Sequence, residues 1–273
     1  MESHNPGKNP TSLSINRRQW LRTTTAVTAG SFLLATRAKA WAWLHREGDS
    51  PNVQTESIHY PSSDAKLHAF VAKPASGGLH PSLILIHDDA GLNDHAMQIA
   101  RNFAEAGFFI FAPDLLSRSG SVAQFQSADQ IADALNRLSA DQTADDLRAG
   151  YSYLRTKLNP DAAASAVGFG WGGWRTFVLA AKVAGLARAV VYSGSAPATG
   201  LHEIDTNFLA HYGQYDFRLA GNALWVEKEL GKRFTYSIYP GVDHGFYDDS
   251  SPQFNADAAK LAWSRTLEFL RAA

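Results

Sequence analysis

Residues 167–174 read Val-Gly-Phe-Gly-Trp-Gly-Gly-Trp ("VGFGWGGW"), at the end of an apolar run and the start of a helical pattern. The stretch has the frame G-x-Nuc-x-G, in which a strand turns sharply into a helix and exposes one reactive side chain. The central position is Gly170, which has no side chain. The site has lost its nucleophile, works without one, or is a Gly-rich turn by chance. The rest of the chain decides against the last of these.

Outward from this turn, apolar or β-branched runs alternate with amphipathic stretches. Strands are expected at 57–60, 67–71, 82–87, 108–112, 166–169, 189–192, 208–212 and 235–239. Several are continuous apolar runs (LILIH, FFIFAP, ARAVVYSG), the pattern of strands buried on both faces of a parallel sheet. Helical periodicity covers 94–107, 127–138, 143–158, 172–185, 220–231 and 255–272. Gly107, Gly185 and Gly231 are expected just past helix ends, at left-handed cap positions. The first two strands lack an intervening helix and predict an antiparallel hairpin. The remainder predicts an α/β domain, an about eight-stranded, mostly parallel sheet with helices on both faces.

In such a sheet the working residues lie on loops at the carboxyl ends of strands. Asp216 in HYGQYD and His244 in YPGVDHGFYDD both follow predicted strands. A lone Asp there is often a helix cap, and a lone His in a Gly-rich loop is often surface. The order elbow, Asp, His is nevertheless the chain order of the α/β-hydrolase triad.

The chain resembles the dienelactone hydrolase family of the α/β-hydrolase superfamily, in particular its exported members. The resemblance rests on HDDAGLNDHAMQIARNFAEAGFFIFAPDLLSR, GFGWGGW, HYGQYD, YPGVDHGFYDD and the closing AAKLAWSRTLEFL. It implies hydrolysis of carboxylic ester or lactone bonds, carboxymethylenebutenolidase-like, with Asp216 and His244 in triad roles. Gly170 then stands where the family carries Cys or Ser. The resemblance also matches Arg118 to an arginine that grips a substrate carboxylate, and Asp88 to a Glu that contacts the resting thiol. Asp248 replaces a second substrate-binding Arg and would repel an anionic substrate. Backbone N–H groups of Trp171 and Asp89 are the expected oxyanion donors. With the elbow empty, His244 can activate a water directly. Ser193, Ser195 and Ser165 lie off the turn and are weak substitutes as nucleophile. The alternative is a catalytically impaired or non-catalytic protein that binds a small ester-like or aromatic ligand.

Composition narrows the partners. The chain has 273 residues and no cysteine, which removes disulfides, zinc–thiolate sites and a thiol nucleophile. Of its 25 basic and 26 acidic residues, six and one fall in 1–40, leaving 19 and 25 beyond, a net of −6. An acidic body without a basic stripe argues against nucleic acid. His87, Asp88, Asp89 and His95 match no close metal-ligand spacing and read as a strand end and a helix start capped by Asn93 or Asp94. No phosphate loop or cofactor motif is present, since GFGWGGW lacks a Lys-Ser/Thr ending. Trp171, Trp174, Phe246 and Tyr247 are expected to line an apolar pocket, though packing on a helix face accounts for Trp174 equally well.

The basic excess belongs to NRRQWLRTTTAVTAGSFLLATRAKAW, which has paired arginines, a weakly apolar run and a small-x-small site at Ala38–Ala40. It resembles a twin-arginine signal, read by the export machinery rather than acting as an anchor. Residues 1–40 are therefore expected to be removed. Residues 41–273 are expected to form one periplasmic or secreted domain without a stable membrane anchor.

Overall fold

The computed structural model describes residues 50–272, so the expected signal at 1–40 lies outside the described residues. Eight strands form one sheet: β1 (Val53–Pro61), β2 (Lys66–Pro74), β3 (Ser82–Ile86), β4 (Phe109–Pro113), β5 (Ala164–Phe169), β6 (Arg188–Tyr192), β7 (Asn207–Gly213) and β8 (Phe234–Tyr239). Their spatial order is β1-β2-β4-β3-β5-β6-β7-β8. The β1–β2 hairpin runs in register from Val53 opposite Pro74 to Pro61 opposite Lys66. β2 also pairs antiparallel with β4, and every other pairing is parallel.

The central strands are apolar on both faces because both faces are covered. β3 and β5 are buried along their whole length, whereas the edge strand β1 is mostly exposed. The helices are α1 (Asp94–Glu105), α2 (Ala128–Asn136), α3 (Ala140–Tyr153), α4 (Trp171–Lys182), α5 (Phe217–Leu230) and α6 (Ala256–Arg271). One apolar cluster includes Phe111, Phe177, Phe208 and Phe234; a second, on the opposite face, includes Phe103, Phe108, Phe169 and Phe246. Each of these large side chains contributes roughly 1.5–3 kcal/mol through burial.

Helix starts follow cap chemistry. Asn93 Oδ1 accepts from Ala96 N–H, and Ser127, Ser139 and Asn255 cap α2, α3 and α6 in the same way. The Ser139 cap explains why α3 begins three residues before its apolar periodicity becomes visible. After Tyr153 the chain continues as a π-helical turn over Leu154–Leu158. Gly185 is a correction of another kind: α4 ends at Lys182 with Val183 in extended geometry, and Gly185 (φ +80°) serves the turn beyond. Among the described residues, no helix is long and apolar enough to cross a membrane.

Candidate active site

The turn at 168–173 is built by close packing. A Cβ on Gly172 would overlap the carbonyl oxygens of Ile86 and His87, so α4 can pass this near the end of β3 only with glycine there. A Cβ on Gly168 would likewise overlap the carbonyl oxygen of Gly172. The elbow is therefore a constructed turn. Gly170 has φ 47° and ψ −111°, a conformation that glycine adopts without steric cost. Its N–H donates to Tyr192 O at 2.8 Å, and its carbonyl accepts from Gly173 N–H.

Two neighbouring strands supply the other groups. Asp216 follows β7 as the residue before α5, and His244 lies on the loop after β8. His244 Nδ1 donates to Asp216 Oδ2 at 2.7 Å. This bond, which outweighs a smaller opposing effect of burial, raises the His244 pKa above the usual imidazole value; the Asp216, Asp89 and Asp243 charges raise it further. With Nδ1 occupied as donor, Nε2 is the basic nitrogen.

Nε2 faces the elbow. A Cβ placed with ideal geometry on Gly170 lies 4.0 Å from His244 Nε2, 3.7 Å from Tyr247 Oη and 3.5 Å from Asp88 Cβ. The side-chain position at the elbow is thus open space with only ordinary contacts, in front of an oriented imidazole. No described serine replaces the missing group. Ser193 is buried at φ 47° with its Oγ unpartnered, Ser165 lies within β5, and neither hydrogen-bonds His244. Ser195 follows β6 and lies beside Arg218 and Trp225 of α5.

The loop after β3 is fixed by His87. Its Nδ1 donates to Asp88 O at 2.8 Å, and its Nε2 accepts from Leu115 N–H at 3.3 Å. Burial lowers its pKa to about 4, so it is neutral and structural. The Trp171 ring stacks on His87 at 5.9 Å, and the Arg175 guanidinium lies 3.6 Å from the centre of that same indole. The Arg175 guanidinium also lies 4.5 Å from the centre of the Trp174 ring. Phe246 is fully buried in the core.

Asp88 Oδ1 accepts from Ala90 N–H at 2.9 Å. Burial pushes its pKa up to about 6, and the neighbouring charges of Asp89 and Asp248 raise it as well. An acid held above its unfolded value costs stability wherever the unfolded chain is ionised and the folded site resists ionisation. The penalty is absent below the unfolded pKa near 3.8 and is fully present once pH exceeds about 6. Asp88→Asn is accordingly expected to raise the melting temperature at pH 8, by a gain on the order of 1 kcal/mol, and to change it little at pH 4. Thermal unfolding at the two pH values checks this.

Arg118 is occupied elsewhere. It makes a bidentate pair with Asp146 on α3, at 2.8 and 3.1 Å, and bonds Asp64 of the β1–β2 turn at 2.7 Å. Ser62 Oγ also donates to Asp146. The Arg118 guanidinium is thus paired with protein carboxylates through Nε and Nη2, and these compete with the substrate carboxylate to which the resemblance matched it. His95 faces Asp248 from Nε2 and Asp249 from Nδ1, at 3.4 and 3.3 Å. Asp248 therefore stands at the edge of the site as a further negative charge, and it acts electrostatically on Asp88 and Tyr247.

The comparisons with known proteins agree with this architecture. Residues 67–273 match the model of the dienelactone hydrolase family. The chain is 25% identical over 240 residues to a Methylorubrum extorquens protein provisionally named carboxymethylenebutenolidase, with 82% of each chain covered. A Synechocystis protein of the same provisional name is 26% identical over 241 residues, covering 81% of this chain and 97% of its own. Among solved structures, a Klebsiella pneumoniae protein provisionally named dienelactone hydrolase superposes with a TM-score of 0.74 at 21% identity, covering 81% and 99% of the two chains. With about three quarters of its length matched by the family model, the chain belongs to the dienelactone hydrolase family.

Proposed function

We propose that this protein hydrolyses neutral carboxylic esters or lactones by direct attack of water, with His244 as general base and no acyl-enzyme. The observation that carries the reading is the 4.0 Å from the Cβ position of Gly170 to His244 Nε2, with Asp216 holding the opposite ring nitrogen. A water at that position gives its proton to Nε2 as its oxygen bonds the acyl carbon. Collapse of the tetrahedral intermediate breaks the acyl–oxygen bond, and the proton on Nε2 passes to the departing alkoxide.

The N–H of Trp171, first in α4, and the N–H of Asp89, on the loop after β3, are the proposed oxyanion donors. Donors fixed by the backbone need no reorganisation as charge develops. The Trp171 stack on His87 and Arg175 supports this role by fixing the start of the helix. Asp88, Asp89 and Asp248 surround the site with acid, and Arg118 is already paired, so an uncharged substrate fits better than a carboxylate-bearing lactone. The arginine pair and small-x-small site in residues 17–40 support export to the periplasm before the enzyme works.

Purified protein is expected to hydrolyse an activated aryl ester, and His244→Ala to lower the rate by roughly 10²-fold or more, a typical general-base contribution. Initial rates of the two proteins check this. Equal rates would instead favour the competing reading, which rests on the empty elbow: a protein that binds a small ester-like or aromatic ligand without turning it over.

A further inference from the structure

Tyr247 lies three residues beyond His244 and brings a second polar group to the elbow. Its Oη is 3.7 Å from the Gly170 Cβ point, nearer than His244 Nε2. The ring packs against three aromatic neighbours: Phe169 at 5.3 Å, Tyr192 at 5.3 Å and Phe246 at 5.7 Å. Such packing fixes the direction of the hydroxyl. The hydroxyl group has no described role in the core, and its position beside the empty elbow calls for one.

We infer that the Tyr247 hydroxyl holds the attacking water at the position left open by Gly170, as the partner that complements His244. This rests on the hydrolytic reading above. From that point a water oxygen comes within the roughly 2.7–3.2 Å of a hydrogen bond by a shift of about 0.5–1 Å toward Tyr247 Oη or about 0.8–1.3 Å toward His244 Nε2. One water hydrogen then points at Nε2 and the other at Tyr247 Oη, which leaves a lone pair aimed at the acyl carbon. Tyr247 keeps its own proton throughout. Burial and the charges of Asp88, Asp248 and Asp89 hold its pKa well above that of a free phenol, so it is a neutral partner and not itself the nucleophile.

In proteins with a nucleophilic side chain at the elbow, the attacking atom is fixed by covalent attachment. Here two hydrogen bonds replace that bond, and Tyr247 is a positioning residue rather than a source or sink of protons. Its contribution should therefore disappear when a covalent nucleophile is restored.

The test compares Tyr247→Phe in two backgrounds, the natural Gly170 and Gly170→Ser, using an activated aryl ester. Phenylalanine preserves ring packing, and thermal melting of each protein monitors the fold. In the natural background kcat is expected to fall roughly tenfold with KM unchanged, the loss of one positioning hydrogen bond. In the Gly170→Ser background the burst rate that reports acylation should change less than about twofold, since that water no longer attacks in the acylation step. An unchanged kcat with Gly170 would overturn the inference while leaving His244-dependent hydrolysis intact. Equal losses in both backgrounds would also overturn it, by showing a packing role. If the protein with Gly170 shows no His244-dependent turnover at all, the hydrolytic reading falls, and this inference falls with it.

Discussion

Gly170→Ser raises the rate of aryl-ester hydrolysis by roughly 10²–10³-fold and converts the kinetics to a burst followed by slower turnover. The expectation follows from what the elbow keeps. Its backbone already has the positive φ of an exposed turn residue, and the added Cβ meets nothing closer than 3.5 Å. From that Cβ, at 4.0 Å from His244 Nε2, a serine Oγ can reach hydrogen-bond distance of the base. Enzymes deprived of triad members retain roughly 10³–10⁴-fold acceleration over water from oxyanion donors and binding, and an intact triad far exceeds that. The gain predicted here is the lower part of that gap, because a side chain at φ 47° is strained. A stability cost accompanies it, since a non-glycine residue at φ 47° stores on the order of 1–3 kcal/mol. Stopped-flow burst amplitude and a quenched acyl adduct on residue 170 check the first effect, and thermal unfolding checks the second.

Asp216→Asn produces the second large effect, a loss of roughly 10²–10³-fold in kcat with a shifted pH profile. The carboxylate accepts from His244 Nδ1 and leaves Nε2 free to take a proton. An amide can donate to Nδ1 instead, which turns the protonated nitrogen toward the water. The loss is set below that of a fully enclosed triad because the His244 side chain is 55% exposed and solvent screens the pair. The sign of the pH effect follows from the base needing to be neutral. In the natural protein Asp216 raises the His244 pKa, so the rate climbs with pH through a midpoint above the ordinary 6.5. In the variant the midpoint falls toward that value while the plateau drops. Asp89 and Asp243 still face the ring and hold the midpoint up in part. A kcat–pH profile of both proteins checks magnitude and direction together.

The strand pattern and the glycines carried most of the fold in the sequence. Runs such as LILIH and ARAVVYSG are apolar because β3 and β6 are covered on both faces, and the triad order followed from loops at strand ends. Asp216 and His244 were legible for that reason. Tyr247 was not, beyond its expected place in an apolar lining, because its hydroxyl meets a residue 77 positions earlier and only the folded turn shows the meeting. The pairing of Arg118 was hidden for a similar reason: its partners Asp64 and Asp146 lie 54 and 28 residues away, on the hairpin turn and on α3. The raised pKa of Asp88 also depends on burial, which a DD pair in a loop does not announce.

The mechanism stands or falls on whether the acyl group ever becomes attached to protein. The decisive measurement is a stopped-flow progress curve for an activated aryl ester with the natural Gly170 protein in excess of the detection limit, quenched in parallel for intact mass. Direct water attack gives product release that is linear from the first turnover, with no mass increase, and a rate that His244→Ala lowers by roughly 10²-fold or more. A stoichiometric burst with an acyl group on Ser193, Ser195 or Tyr247 would contradict it, and would place the nucleophile beside the elbow instead of in the water that fills it.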